Sequence, residues 1–397
     1  MENPNDHEPT EEITEALKNN DAASAAAKVQ EYLEKQDNIP LNIAITGESG
    51  SGKSTFVNAF RGVDNKDERA APTGCVETTM EVTAYPHPNY PNVTFWDLPG
   101  IGTTKFPADK YLEHVGFEKF DFFIIISADR FRENDVTLAQ EIQKMKKKFY
   151  FVRSKIDHNL SDAERSQREF NAKETLELIR QNCVQGLQKQ GVESPKVFLI
   201  SSLDLHLYDF QLLVETFEKE IPTHKRNALL FAIPNINLKI INKKKEAFQA
   251  KIKYYALLSA LVASVPLPGL SVAVDLGIVV DVVRKYQIGF GLDSKSLKKL
   301  ADSAHMPMND IKEVMTSPLA GNIISKELII KILTMSVTAV ALMVVEEGLR
   351  FIPAVGIPVA MTASFISTYN LLSTCLKMVA EDAQKVLKKA LGLNTSV

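Results

Sequence analysis

The residues of this chain best suited to chemistry lie in one glycine-rich stretch, Gly47-Glu-Ser-Gly-Ser-Gly-Lys-Ser54. Gly47, Gly52, Lys53 and Ser54 keep the G-x-x-x-x-G-K-[ST] spacing of a loop that wraps phosphate. Glu48, Ser49, Gly50 and Ser51 complete the loop. With so little side chain there, successive backbone N–H groups can curl around a β-phosphate. Lys53 has the charge and reach for the β- and γ-phosphates, and the Ser54 hydroxyl suits Mg²⁺. Thr55 continues the stretch into a helix whose N-terminus favours anions. The flanks agree with this chemistry: Leu41 to Ile45 reads as a buried strand and Thr55 to Phe60 as a helix. The stretch implies a bound nucleoside triphosphate.

Two further motifs point to the same ligand. Val93-Thr-Phe-Trp96 reads as a strand and runs into Asp97-Leu-Pro-Gly100. An Asp at such a strand end holds Mg²⁺ through water, and the N–H of a following glycine such as Gly100 can meet the γ-phosphate. Later, Ser154-Lys-Ile-Asp157 follows the strand Phe149 to Val152. Guanine differs from adenine in its N1–H and exocyclic N–H₂, and a carboxylate such as Asp157 offers both acceptors. Lys155 would lay its stem over the base. Ser154 stands where an Asn is usual. Ser201 and Ser202, after the apolar run Val197 to Ile200, fall where a loop would touch the base. Between the phosphate loop and Asp97, residues 62–79 are polar and form the expected first switch. Thr73, Thr78 and Thr79 there are alternatives for completing the Mg²⁺ shell. The position after Gly100, which could hold a hydrolytic Gln, is Ile101, so the group that orients water must come from elsewhere.

Elements must place these motifs together. From 41 to about 225, short apolar runs (Leu41–Ile45, Val93–Trp96, Phe122–Ser127, Phe149–Val152, Val197–Ile200) alternate with helical patterns at Asp135–Lys148 and Glu169–Lys189, an α/β signature. The runs are nearly continuous, as strands covered on both faces are. Tyr85 to Tyr90, with Pro86 and Pro88, reads as a turn or edge segment. A chain of 397 residues with 45% hydrophobic and 24% charged content has room for more than one core. A net charge of −3 provides no sign of nucleic-acid binding. Cys75, Cys183 and Cys375 form neither a metal cluster nor a disulfide framework, which suits a reducing compartment. The histidines show no ligand spacing. From the polar, acidic start no secretory signal is expected, from Glu2 no N-terminal myristoylation, and from the end no prenylation.

Outside the α/β section the pattern is helical. Residues 1–10 are expected to be disordered. Residues 11–38 carry apolar pairs four apart, Ile13 with Leu17 and Val29 with Leu33, around a break at Asn19 to Asp21. They need a partner for that stripe. From 226 to 397 the composition shifts. A basic helical stretch, with Lys239, Lys243, Lys244, Lys245, Lys251 and Lys253, precedes an uncharged run from Tyr254 to Val274, and a second uncharged run spans Phe351 to Leu376. Pro266, Pro268 and Gly269 interrupt the first run; Pro353, Gly356 and Pro358 interrupt the second. Two readings fit: buried helices of an all-helical domain, or re-entrant hairpins entering a bilayer. The basic stretch is either a solvated helix face or a surface for anionic headgroups.

The motifs together resemble the immunity-related GTPases, the interferon-inducible p47 family. The likeness is carried by Leu41 to Ser54, Ala70-Ala-Pro-Thr-Gly-Cys-Val-Glu-Thr-Thr-Met80, Phe95-Trp-Asp-Leu-Pro-Gly-Ile-Gly-Thr-Thr104, Phe120 to Ser127 and Phe149 to Asp157. It thins after about Arg226. The resemblance implies an α/β Ras-like P-loop G domain (39–225) plus an all-α helical domain built from N-terminal (11–38) and C-terminal (226–397) segments. It implies binding of GTP or GDP with Mg²⁺, slow hydrolysis, and self-association through G domains in the GTP state. Other GTPases of the family and endomembranes, including pathogen vacuoles, are the further partners it implies, with roles in cell-autonomous immunity or autophagy. The protein is then cytoplasmic and partly associated with intracellular membranes. The family's first-switch Thr matches Thr73, and the Glu that assists hydrolysis across the dimer matches Glu77. Lys53 with Ser54 matches the GKS-type effector branch rather than the branch with Met before the Lys. If turnover is negligible, the same features suit a nucleotide-gated scaffold.

Overall fold

The computed structural model describes residues 9–74, 81–99, 115–128, 133–264, 271–337 and 346–392. The chain divides into two compact units, one of residues Ile39–Pro234 and one of Met1–Asn38 with Asn235–Val397.

In the first unit six strands form one sheet in the order β2-β3-β1-β4-β5-β6. They are β1 (Leu41–Thr46), β2 (Thr83–Pro86), β3 (Val93–Asp97), β4 (Phe122–Ser127), β5 (Lys148–Arg153) and β6 (Val197–Leu199). β2 runs antiparallel at the edge; the other pairings are parallel. Each residue of β4 is buried, as an unbroken Phe-Phe-Ile-Ile-Ile run under helices on both faces requires. Register then brings the strand ends together. Ile45 lies opposite Asp97, Thr46 opposite Ile125, Ser127 opposite Arg153 and Arg153 opposite Leu199. The loops leaving β1, β3, β4, β5 and β6 therefore emerge at one edge, where open parallel sheets bind ligands. The helix Lys53–Phe60 is fixed beneath that edge by Phe60, whose ring meets Phe95 at 4.9 Å and Phe210 at 5.4 Å.

Three expectations need correction here. The unit ends at Pro234, not at 225, because the helix Thr223–Ala232 buries Leu229 and Phe231 within it. Phe231 stacks on Tyr90 at 5.9 Å, and Lys225 pairs with Asp121 at 2.6 Å. A helix the sequence pattern did not suggest, Ile156–Ser166, follows β5, and the helix expected to reach Lys148 spans Glu133–Lys144. Thr10, expected to be disordered, opens the helix Thr10–Lys18. Cys183 is packed in the core, where burial pushes its thiol up to about 11, so it stays protonated and inert.

In the second unit the helix Leu238–Ser264 is central, packed against Val359–Ala390 and Ala22–Asp37. The stripe Ala25, Val29 and Leu33 is buried there, and Tyr32 meets Tyr254 at 4.8 Å between ring centroids. A buried hydrogen bond of 3.0 Å joins Ser259 to Thr368. Asp382, fully buried, accepts from the backbone N–H groups of Thr316 at 2.9 Å and Ser317 at 2.8 Å. Burial pushes the Cys375 thiol up to about 12. Pro353 lies inside the helix Glu346–Val355, and Pro358 caps the next one. Among the described residues, no helix is long and apolar enough to cross a membrane. Residues 265–270 of the first uncharged run lie outside them.

Three lysines of the basic stretch are turned inward, whereas Lys239 is exposed and Lys243 and Lys245 are half-buried. Lys244 is buried and donates to the Gly289 carbonyl at 3.1 Å, and Lys253 lies over the rings of Tyr254 and Phe351. Lys251 reaches Asp37, the last residue of the second N-terminal helix, at 2.6 Å, and Lys285 reaches its other oxygen at 2.6 Å. Burial alone would raise the Asp37 carboxyl, but these two ammonium groups hold it below its ordinary value of 3.8. A carboxyl depressed by folding stabilises the fold above its unfolded pKa, and that contribution is lost as pH falls through the folded value. We predict that Asp37→Asn costs about 2 kcal/mol near neutrality, somewhat less than a fully buried pair. Thermal melts across pH should show the gap to wild type closing below pH 3.8. A gap unchanged in acid would contradict the ion-pair account.

Candidate nucleotide-binding site

The loop between β1 and the helix Lys53–Phe60 is shaped by its glycines. Gly47 has φ +136°, and a Cβ there would fall 2.1 Å from the Ile126 carbonyl oxygen of β4. Gly52, the residue that opens the helix, has φ +93°, and Gly50 has φ +76°. Side chains rarely adopt such values. Lys53 is buried, and its ammonium donates to the Glu48 carbonyl at 2.9 Å and to that of Gly47 at 3.3 Å. The lysine thus holds the rim of its own loop. Ser49 and Gly50 are exposed at the tip, and Glu48, Ser54 and Thr55 are half-buried.

Ser54 Oγ donates to Asp97 Oδ2 at 2.6 Å. Asp97 is fully buried at the end of β3, beside Ile45 of β1. A hydroxyl and a carboxylate oxygen side by side at a helix N-terminus are the hard donors that Mg²⁺ takes. Ser51 Oγ is buried with no hydrogen-bond partner among the described residues. That is a polar group left for a ligand in a cradle of backbone N–H groups. The loop fits a phosphate chain with its cation.

The second motif closes on the same loop. Ser154 is buried, and its hydroxyl lies 2.6 Å from the Ser51 carbonyl. Lys155, at φ +55°, donates from Nζ to the Gly50 carbonyl at 2.9 Å. The departure from Asn at Ser154 therefore keeps a tie between the two motifs. Asp157 is half-buried in the first turn of Ile156–Ser166. Burial raises the pKa of Tyr208, and the Asp157 carboxylate raises it further. Ser201 is buried and its Oγ accepts from Leu203 N–H at 3.3 Å; Ser202 is half-buried beside it. The Ile156 N–H reaches the Ile200 carbonyl, so this serine loop adjoins the Lys155–Asp157 segment.

Not every expected residue is gathered. Thr73 is exposed on the segment after Ala71. Glu77 and Gly100 lie outside the described residues, as do Thr78, Thr79 and Ile101. Among the described residues, no cluster of His, Cys, Asp and Glu could hold a metal.

The family description "Interferon-inducible GTPase (IIGP)" matches residues 6–390. The chain is 41% identical to Interferon-inducible GTPase 5 of Rattus norvegicus, over 97% of this chain and 83% of that one. It is 36% identical to Interferon-gamma-inducible GTPase 10 of Mus musculus, over 98% of this chain and 91% of the other. To Interferon-inducible GTPase 1 of Mus musculus it is 40% identical over 73% of this chain and 70% of the other.

The glycine geometry makes a prediction. Gly47→Ala abolishes nucleotide binding measured by calorimetry, because the new methyl meets backbone rather than a movable side chain. Gly50→Ala, with open space around it, weakens binding by less than about tenfold, the cost of one left-handed residue. Equal effects of the two would contradict this account.

Proposed function

The chain belongs to the interferon-inducible GTPase family, and from that premise we propose that it binds GTP and GDP and hydrolyses GTP slowly. One observation supports the reading most: the phosphate loop is tied to the Ser54–Asp97 pair on one side and to the base-reading segment on the other. In this reading the Lys53 ammonium exchanges its loop carbonyls for phosphate oxygens. Ser54 and Thr73 would ligate Mg²⁺, and the Asp97 carboxylate would hold its waters. The cation, when bound, supplies neutralisation of the phosphate charge. Gly100 offers its N–H to the γ-phosphate. Asp157 accepts from both guanine donors, Lys155 covers the base, and Ser201 with Ser202 borders it.

We assign Glu77 to hydrolysis in trans, across an association of two G domains in the GTP state. Ile101, standing where a hydrolytic Gln would serve, supports the need for such a group. The wider role we propose is cell-autonomous immunity on intracellular membranes, with family GTPases as further partners. Lys244, Lys251 and Lys253, engaged inside the unit, leave fewer lysines for a lipid-facing helix, so we assign membrane contact to other surfaces or to a partner.

The test is GTP turnover per molecule as protein concentration rises over about a hundredfold, where mass action favours association. Specific activity should climb with concentration and collapse in Glu77→Ala and Lys53→Ala. A flat, near-zero rate with guanine nucleotide bound would overturn hydrolysis in trans and favour a nucleotide-gated scaffold.

A further inference from the structure

The helix Lys53–Phe60 begins with Lys53 and Ser54, and Asn58 within it and Arg61 at its C-terminal cap are two polar residues that the phosphate roles do not use. Asn58, one turn after Ser54, is fully buried. Its carboxamide accepts from the Ala71 N–H at 2.7 Å and donates to the Ala71 carbonyl at 2.9 Å, the two-bond grip of a strand pair. Its amide nitrogen also donates to Asn65 Oδ1 at 3.0 Å. Arg61, a turn further on and 5% exposed, donates from Nη1 to the Arg69 carbonyl at 3.0 Å and from Nε to the Pro86 carbonyl at 3.2 Å. Its guanidinium lies 5.3 Å from the centre of the Tyr85 ring.

The partners of these side chains have a pattern. Ala71 and Arg69 lie just before Thr73, and Pro86 ends the strand that resumes after that segment. One helix thus grips the backbone on both flanks of the residue assigned to complete the cation's shell. We propose that Asn58 and Arg61 are positioning residues: a two-point clamp that sets the origin of the Thr73 segment relative to Ser54. The clamp rests on the nucleotide reading above and adds a specificity to it. Diphosphate needs the loop and Asp97, whereas triphosphate also needs Thr73 brought inward from its exposed position. Fixing Ala71, two residues away, limits the backbone that must be ordered for that step. The clamp therefore favours the triphosphate state selectively.

The test is calorimetric affinity for GDP and for GTPγS, with Mg²⁺, in wild type, Asn58→Ala and Arg61→Met. Either substitution should weaken GTPγS at least about tenfold, as misplacement of a contacting segment does, and GDP less than threefold. Equal losses for both nucleotides, or none, would overturn the clamp while leaving the nucleotide site intact. A wild type that binds neither nucleotide would sink the underlying reading instead. If removing Asn58 unfolds the chain, as loss of Ala71's buried partners allows, hydrogen exchange in wild type decides. The Ala71 amide should exchange at least tenfold more slowly than that of Thr73, by the protection a buried bond confers. Equal rates would overturn the clamp.

Discussion

The hydrogen bond from Ser54 to Asp97 is the contact on which the nucleotide unit turns. It joins the first turn of the phosphate-loop helix to the end of β3. It forms only because β1 and β3 pair in parallel with Ile45 opposite Asp97. A shift of one residue would turn Asp97 to the other face of the sheet. The aromatic contacts of Phe60 hold the helix at the depth this requires. Packing, register and donor geometry are thus one constraint, with the glycine loop as the link between strand and helix.

Much of this was legible in the residues. The five parallel strands read correctly because uninterrupted apolar runs have few alternatives to a doubly covered sheet, whereas the edge strand Thr83–Pro86 has no such run. The phosphate loop was legible as a candidate because glycines, lysine and serine at that spacing have a shared chemical reason, and the structure sets it between β1 and the helix Lys53–Phe60. What escaped notice depends on partners distant in the chain. Ser154, standing where an Asn is usual, has its role set by the Ser51 carbonyl 103 positions away. The helix Ile156–Ser166 carries only a short stripe, Ile156, Leu160 and Ala163, among polar residues that read as a loop. Leu229 and Phe231 belong to the nucleotide unit although the composition changes at Arg226. Asn58 and Arg61 act on backbone carbonyls, which no side-chain pattern reports.

The helical unit teaches the same lesson through charge. Six lysines in one stretch suggested either a solvated face or a lipid-binding one. Asp37, more than 200 positions away, engages Lys251 and Lys285. Lys244 and Lys253 are directed at a carbonyl and at rings. The inward lysines make part of the stretch a seam, with Lys251 closing the second N-terminal helix onto the C-terminal ones, while Lys239 stays exposed. The stripe of residues 11–38, incomplete by itself, finds its partner in this way.

The central claim is that one loop binds a guanine triphosphate with its cation. Trp96, the single tryptophan, adjoins Asp97 and bonds Asn42 at 2.9 Å, so its fluorescence reports on this strand end. The most direct measurement titrates the protein with GTPγS and ATPγS, with Mg²⁺ or with chelator, and follows Trp96. Guanine should bind at least about a hundredfold more tightly than adenine, since adenine leaves the Asp157 acceptors unpaired. Removal of Mg²⁺ should weaken GTPγS. Equal binding of the two bases, or affinity indifferent to the cation, would contradict the account.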